Sequence, residues 1–259
     1  MKALLLAGGY ATRLRPLTET TAKPLLPVGG RPIVDWILDR IAEVDEIRDV
    51  QLVTNDVYAA DFERWAEGRA ITVWNDGTRS NDDRLGALGD IMFAVERGGL
   101  AGDDLLVIAA DNLFEFSLGD YVAFWRAKGD GSAIAVHKLA DPALARLYGV
   151  AELGADDRVV ALEEKPEEPR SDLIATATYI FSAEHLERLA IYLAEGNAPD
   201  PPGRFFVWLY PRAPVYGFRF SESWFDIGNP DQLLEADNHY RERIGLEARS
   251  AYTPDLLKK

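Results

Sequence analysis

Apolar residues enter this chain as unbroken runs and only later as alternations. Lys2–Ala7 is apolar after its first residue, the pattern of a strand buried on both faces. Ile33, Ile37 and Ile41 recur every four positions between Pro32 and Val44, with Val34, Leu38 and Val44 beside them, which predicts a helix with Pro32 at its first position. The same reading predicts a strand at Val50–Thr54, a helix at Val57–Glu67, a strand at Ala70–Trp74 and a helix at Leu85–Arg97 stopped by Gly98-Gly99. Asp104–Ala109 closes the series as a fourth buried strand. Strands alternating with helices imply a parallel sheet covered on both faces.

The pattern then changes. Strands are predicted at Ser132–Lys138, Gly149–Leu153, Val159–Glu163, Ile174–Ile180 and Val215–Phe220, with helices at Ala183–Leu193 and Asp231–Tyr240. No linker, repeat or low-complexity tract separates the two halves. The expectation is a single α/β domain over residues 1–246, three-layered and Rossmann-like with a mostly parallel mixed sheet, followed by a polar tail at 247–259. The aromatic stretch Gly203–Pro211 reads as core packing or a subunit interface rather than a ligand contact, so a homo-oligomer is allowed.

Composition narrows the possibilities. Among 259 residues there is no cysteine, which excludes disulfides and thiolate metal sites. No apolar run approaches the ~20 residues of a membrane span, and Ala3–Ala7 is too short for a signal peptide. A cytoplasmic protein without a membrane partner is expected. A formal charge of −15 argues against nucleic acid as a partner. That charge is unevenly spread: Met1–Arg31 holds Lys2, Arg13, Arg15, Lys23 and Arg31 against Glu19 alone. A small positive island on an acidic protein suits a compact polyanion.

The island coincides with an unusual loop, "LAGGYATRLRPLTETTAKPLLPV", Leu6 to Val28. Ligands of parallel sheets bind outside the carboxyl ends of the strands, so a loop after the first strand lies at the site. Gly8 and Gly9 let a ligand approach backbone N–H groups, Arg13 offers a planar fork to phosphate oxygens, and Lys23 a point charge. The G-x-G-x-x-G fingerprint of dinucleotide folds and the P-loop pattern are both absent. Asp111, at the end of "LLVIAA", and Asp226, in a D-x-G sequence, fit either turns or a ligand site. His137, His185 and His239 are scattered and read as structural or solvated.

Leu6–Thr18 and Lys23–Val28 closely resemble the signature of the sugar-1-phosphate nucleotidylyltransferases, L-A-G-G-x-G-T-R-L-x-P-L-T followed by K-P-L-L-P-V. Asp111-Asn112, Tyr148-Gly149-Val150, Glu163-Glu164-Lys165-Pro166 and Trp224-Phe225-Asp226-Ile227-Gly228 follow in that family's order, over about residues 1–245. The flavour is nearest to the glucose-1-phosphate thymidylyltransferases. Ala11 departs from the pattern, standing where glycine is usual; its methyl group is tolerable if the backbone keeps a negative φ.

The resemblance implies a nucleotide-diphospho-sugar transferase fold, with a nucleotide-binding half to about residue 130 and a sugar-binding half beyond it. It implies that a sugar-1-phosphate attacks the α-phosphorus of a nucleoside triphosphate, with glucose-1-phosphate and dTTP or UTP leading. Asp111 and Asp226, facing one triphosphate without a histidine cluster, would then hold Mg2+ through oxygen. Arg13, Lys23 and Lys165 would join them as catalytic residues. Leu6, Ala7, Gly8, Gly9 and Gly86 would line the nucleotide, with Asn75 offering an amide to the base in place of the glutamine that thymidylyltransferases carry. Lys165 would grip the sugar phosphate, and Asn112, Gly149, Glu164, Ala175 and Trp224 would line the sugar. No β-helix tract follows, so a fused acyltransferase is not expected. The alternatives are a cytidylyl- or guanylyltransferase acting on another phosphorylated substrate, and a non-catalytic nucleotide sensor of the same fold.

Overall fold

A computed structural model describes residues 1–256. In chain order the strands are β1 (Lys2–Ala7), β2 (Pro27–Val28), β3 (Arg31–Pro32), β4 (Val50–Thr54), β5 (Ile71–Asn75), β6 (Leu105–Ala109), β7 (Asn112–Phe114), β8 (Ser132–Lys138), β9 (Gly149–Leu153), β10 (Val159–Glu164), β11 (Leu173–Phe181), β12 (Val215–Phe220) and β13 (Trp224–Asp226). The helices are α1 (Ile33–Ile41), α2 (Ala59–Ala66), α3 (Ala87–Gly98), α4 (Leu118–Lys128), α5 (Ala183–Ala194), α6 (Gly203–Leu209) and α7 (Pro230–Arg243).

A nine-stranded sheet runs in the order β10-β9-β11-β6-β1-β4-β5, with β8 joined to β11 and β12 to β8. The pairs β6·β1, β1·β4 and β4·β5 are parallel, whereas β11 runs antiparallel to β6, β8 and β9. Side chains alternate across β1. Ala3, Leu5 and Ala7 enter the core beneath α1, α2, α4 and α7, while Leu4 enters the core beneath α3, α5 and α6. Two buried faces explain why the first strands read as continuous apolar runs. The sheet is mixed, mostly parallel at its amino-terminal side, and flanked by helices, as the pattern predicts.

Strand β11 is the junction. Its register against β8 shifts between Ala175 and Tyr179; residues 174–175 pair with β9, and residues 178–181 pair with β6. One strand therefore serves both halves of the sheet, with an interruption at its centre.

Two helices were not expected from the pattern. In α4, Leu118, Tyr121, Val122 and Trp125 are buried at helical spacing, and the Ser117 side chain accepts from the Asp120 N–H as an N-cap. The aromatic segment after Pro202 is helical as α6. Phe205, Phe206 and Leu209 are fully buried, and Phe206 stacks on Tyr179 with ring centres 4.9 Å apart. That is the packing reading of the segment. Residues 247–256 contain no helix or strand but fold back on the domain: Tyr252 Oη donates to the Pro27 carbonyl at 2.8 Å, and Arg249 lies 3.7 Å from buried Asp237. No helix among the described residues is long and apolar enough to cross a membrane.

Phe206 carries one wall of the second core. Phe206→Ala is expected to lower unfolding free energy by about 3–5 kcal/mol, the usual cost of removing a buried aromatic ring. Urea denaturation checks this, and a midpoint like that of the wild type would contradict the packing described.

Candidate active site

The loop after β1 is shaped by close backbone approaches. A Cβ at Gly8 would lie 2.5 Å from Asp90 Oδ2, so any larger residue here would have to displace that carboxyl. The Gly8 carbonyl accepts from Asn55 Nδ2 at 3.0 Å. Ala11 has φ of 43° and ψ of 43°, in the left-handed region. The condition of a negative φ is thus not met; the alanine adopts the glycine conformation instead. Its carbonyl accepts from Thr18 Oγ1 at 2.8 Å and from the Leu14 N–H at 3.0 Å, bonds that offset a conformational cost of order 1–2 kcal/mol. A short 3₁₀ turn follows at Thr12–Leu14 and presents Arg13.

A second 3₁₀ turn, Lys23–Leu25, presents Lys23. Its ammonium pairs with Asp111 and donates to the Ile227 carbonyl at 2.6 Å. Asp111 Oδ1 in turn accepts from Asn112 Nδ2 at 2.9 Å, and Asn112 Oδ1 accepts from Trp224 Nε1 at 3.1 Å. The small ribbon β7–β13 aligns Asn112 with Asp226, which brings Asp226 within the field of Asp111, the residue just before β7. Three motifs far apart in sequence are joined by one hydrogen-bonded chain.

Two cavities adjoin along this network. The larger, of about 490 Å3, is lined by Leu6, Ala7, Gly8 and Gly9, by Arg13 and Lys23, by Gly86 and Asp90, and by Asp111, Asn112 and Lys165. The smaller, of about 230 Å3, is lined by Tyr148, Gly149, Glu164, Ala175, Trp224 and Asp226, with Gly203 at its edge. Asn112, Lys165, Ala177, Pro201 and Pro202 belong to both, making a continuous cleft. Lys165 has φ of 50° although Pro166 follows it, so the box turns sharply rather than leaving in an extended path.

Charges in the cleft shift one another. Burial works against ionisation of Asp111, but the Lys23 ammonium and the Asn112 amide hold its carboxyl below the ordinary range. Asp226 is raised by burial and by the negative charge of Asp111, with Lys23 and Arg13 opposing. Burial and Asp226 together push the Tyr148 hydroxyl up to about 12. Glu164 is raised by burial, with Lys165 and Arg204 opposing. Asp111 and Asp226 form an all-oxygen pair whose mutual repulsion a divalent cation would relieve, so the donors fit Mg2+. Among the described residues no third acid or histidine completes a cage. Such an ion would take its other ligands from phosphate and water.

Of the residues expected from sequence, all but Asn75 line the cleft. The Asn75 amide donates to Asp56 Oδ1 at 2.8 Å and its oxygen accepts from the Gly77 N–H at 2.8 Å, which leaves it outside the cavity lining. Asp90, Tyr148 and the wall Asp200–Pro202 also line the cleft without having been expected as site residues. Asp90 looks in sequence like an ordinary first-turn acid of a helix, and nothing marks Asp200–Pro202 but proline content. Gly203 extends the aromatic segment to the cavity edge, a ligand-facing position that the packing reading did not include.

The sheet order, the loop after β1 and the cleft at the carboxyl ends of the parallel strands define a Rossmann-like fold of the nucleotide-diphospho-sugar transferase type. The chain belongs to the nucleotidyl transferase family, which matches it over residues 2–243. It is 38% identical over 258 residues to a glucose-1-phosphate thymidylyltransferase of Streptomyces antibioticus, across 98% of this chain and 70% of that protein. To the enzyme of the same name from Streptomyces griseus it is 31% identical over 246 residues, across 92% of this chain and 65% of that protein. The chain thus spans about two thirds of the length of these relatives. A crystal structure of a Bacillus anthracis protein described as a glucose-1-phosphate thymidylyltransferase, in complex with a sucrose, superposes with a TM-score of 0.80 at 24% identity, covering 93% of this chain and 96% of that one.

Asp90 gives a pH test of the geometry. It is 6% exposed, and burial with Asp76 and Asp200 nearby raises its pKa from 3.8 to about 8. Tyr10, hydrogen-bonded to Thr78 at 2.9 Å, and Asp83 also face this corner. The folded state therefore holds a proton that the unfolded chain releases. The stability this contributes is complete below pH 3.8 and is lost as pH rises through about 8. The thermal midpoint of the wild type is expected to fall more steeply from pH 6 to 9 than that of Asp90→Asn. Equal slopes in differential scanning fluorimetry would place the buried proton elsewhere.

Proposed function

We propose that this protein transfers a nucleotidyl group from a nucleoside triphosphate to a sugar-1-phosphate, with dTTP or UTP and glucose-1-phosphate as the leading pair. The observation that carries the reading is the shared wall of the two cavities, where Lys165 and Asn112 face both. Two anionic substrates need adjoining pockets with cations at the junction, and the cleft supplies Arg13, Lys23 and Lys165 there. The relatives' names agree with the reaction class.

In this reading an oxygen of the sugar phosphate attacks the α-phosphorus. The bond from that phosphorus to the α,β-bridging oxygen breaks, and pyrophosphate leaves with the electron pair. No general base is required, because a phosphate monoester is already ionised at neutral pH. Gly8 and Gly9 bring backbone N–H groups to the triphosphate, while Arg13 and Lys23 oppose charge developing on the leaving group. Lys165 holds the sugar phosphate beside them. Glu164, Gly149 and Asn112 face the sugar hydroxyls, and Tyr148, Ala175 and Trp224 close the pocket. Mg2+ held by Asp111 and Asp226 would neutralise the phosphates in the transition state.

A pyrophosphate-release assay with five nucleoside triphosphates and a panel of sugar-1-phosphates tests the reaction. Turnover is expected only with a divalent cation, and Asp111→Asn and Asp226→Asn should each lower kcat by at least ~10²-fold with the fold retained. Absence of turnover with every pair would leave the nucleotide-sensor reading in its place.

The two cationic positions should separate by substrate. Lys165→Ala is expected to raise the KM for sugar phosphate by about ten- to a hundred-fold while nucleotide affinity stays close to wild type. Arg13→Ala should instead weaken triphosphate binding and kcat. Calorimetric titration of each variant with each substrate alone distinguishes the assignments, and the opposite pattern would exchange the two pockets.

A further inference from the structure

The larger cavity has two unlike ends. Arg13, Lys23 and Asp111 gather at one, and α3 walls the other through Gly86, Ala87 and Asp90. A nucleotide with its phosphates among the cations directs its base toward α3. The cation at that end, Arg84, already faces Asp200 at 3.6 Å. Asn75, the amide at the end of β5, is committed to Asp56 and Gly77. Asn81 also lines this cavity, and the buried polar side chain on this wall is Asp90. Asp90 is 6% exposed, and its Oδ1 has no hydrogen-bond partner among the described residues. Asp76 stands beside it, its Oδ1 fixed by the Thr78 N–H at 2.7 Å and Thr78 Oγ1 at 2.8 Å. A Cβ at Gly8 would lie 2.5 Å from Asp90 Oδ2 and 3.6 Å from Asp76 Oδ2, so the two carboxyls lie close together beside Gly8, and Asp90 is the one that lines the cavity.

We propose that Asp90, supported by Asp76, reads the nucleobase and selects bases whose Watson–Crick ring nitrogen carries a hydrogen: uracil, thymine and guanine, over adenine and cytosine. This rests on the nucleotidyl-transfer reading and deepens it. Two carboxyls this close share a proton rather than both ionising, and Asp90 still presents a lone pair to the cavity. The ring N–H of uracil, thymine or guanine donates to it. Adenine and cytosine place a bare ring lone pair at the same point, which repels an acceptor and leaves the buried carboxyl unsatisfied. The selectivity thus comes from the helix wall rather than from the end of β5.

Calorimetry on the full chain with Mg2+ and no sugar phosphate reads base preference without turnover. UTP, dTTP and GTP are expected to bind at least about ten-fold tighter than ATP and CTP, a difference of roughly 1.4 kcal/mol. Asp90→Asn can turn an N–H toward the bare nitrogen of cytosine, so the UTP-to-CTP preference should fall by at least about ten-fold. Asp76→Asn, which leaves Asp90 in place, should reduce the preference less. Thermal midpoints of both variants confirm folding. Equal affinity for UTP and CTP in the wild type, or an unchanged ratio in Asp90→Asn, overturns the proposal. If that happens while sugar phosphate still supports pyrophosphate release, the base assignment alone falls. Wild-type protein that binds no triphosphate overturns both readings.

Discussion

The contact between the Lys23 ammonium and the Asp111 carboxylate fixes the rest of the site. Neither charge is free in solvent, so each needs the other to be tolerable. The requirement draws the loop after β1 onto the end of β6, and the Ile227 carbonyl draws the strand that carries Asp226 to the same point. The loop has little regular structure of its own beyond two 3₁₀ turns. Its shape is therefore an electrostatic consequence of where the sheet ends. The same pair keeps Asp111 ionised while Asp226, with less compensation, is raised. One cation is thus insufficient for two acids, which is the physical reason a divalent ion suits the place.

Two of the departures from ordinary backbone geometry lie at the cleft; the others, Asp156 and Asp157, turn the chain between β9 and β10. Ala11 and Lys165 both adopt positive φ, one in the loop over the larger cavity and one at the wall between the two. Each is held by bonds from elsewhere in the fold, Thr18 for Ala11 and the Tyr148 carbonyl for Lys165. A strained residue persists when its surroundings over-determine it, and these two are over-determined by contacts that also shape the pockets.

Much of the sheet was readable because burial on both faces writes itself as uninterrupted apolar runs. β1, β4, β8, β9 and β12 begin and end at the positions their patterns predict. Helix α4 was missed although its apolar spacing is regular, because its polar flanks and the strands around it masked the period. The site was legible where chemistry requires particular residue types, as with Gly8, Arg13 and Lys23. It was not legible where a residue acts through its place in the fold. Asn75 has suitable chemistry but is turned to Asp56 by local bonding. Asp90 carries no signal in sequence, since only the pairing of β5 beside β4 and the packing of α3 on β1 and β4 bring it to Asp76 and Gly8. Ala11 shows the limit from the other side, for a side chain cannot report the φ its neighbours impose.

The interruption in β11 has a consequence for distance. Ala177, between the two registers of that strand, faces both cavities. One side of the boundary between the pockets is therefore set by covalently linked residues in the middle of a nine-stranded sheet, facing the loop residues Lys165, Pro201 and Pro202. In the proposed reaction a phosphate oxygen and a phosphorus atom must meet within a bond-forming distance, and a small misplacement is costly. The strand works as a fixed spacer between the substrates: Ala175 and Tyr179, to either side of Ala177, wall the smaller pocket, and the methyl-sized Ala177 leaves the opening through which the larger one is reached.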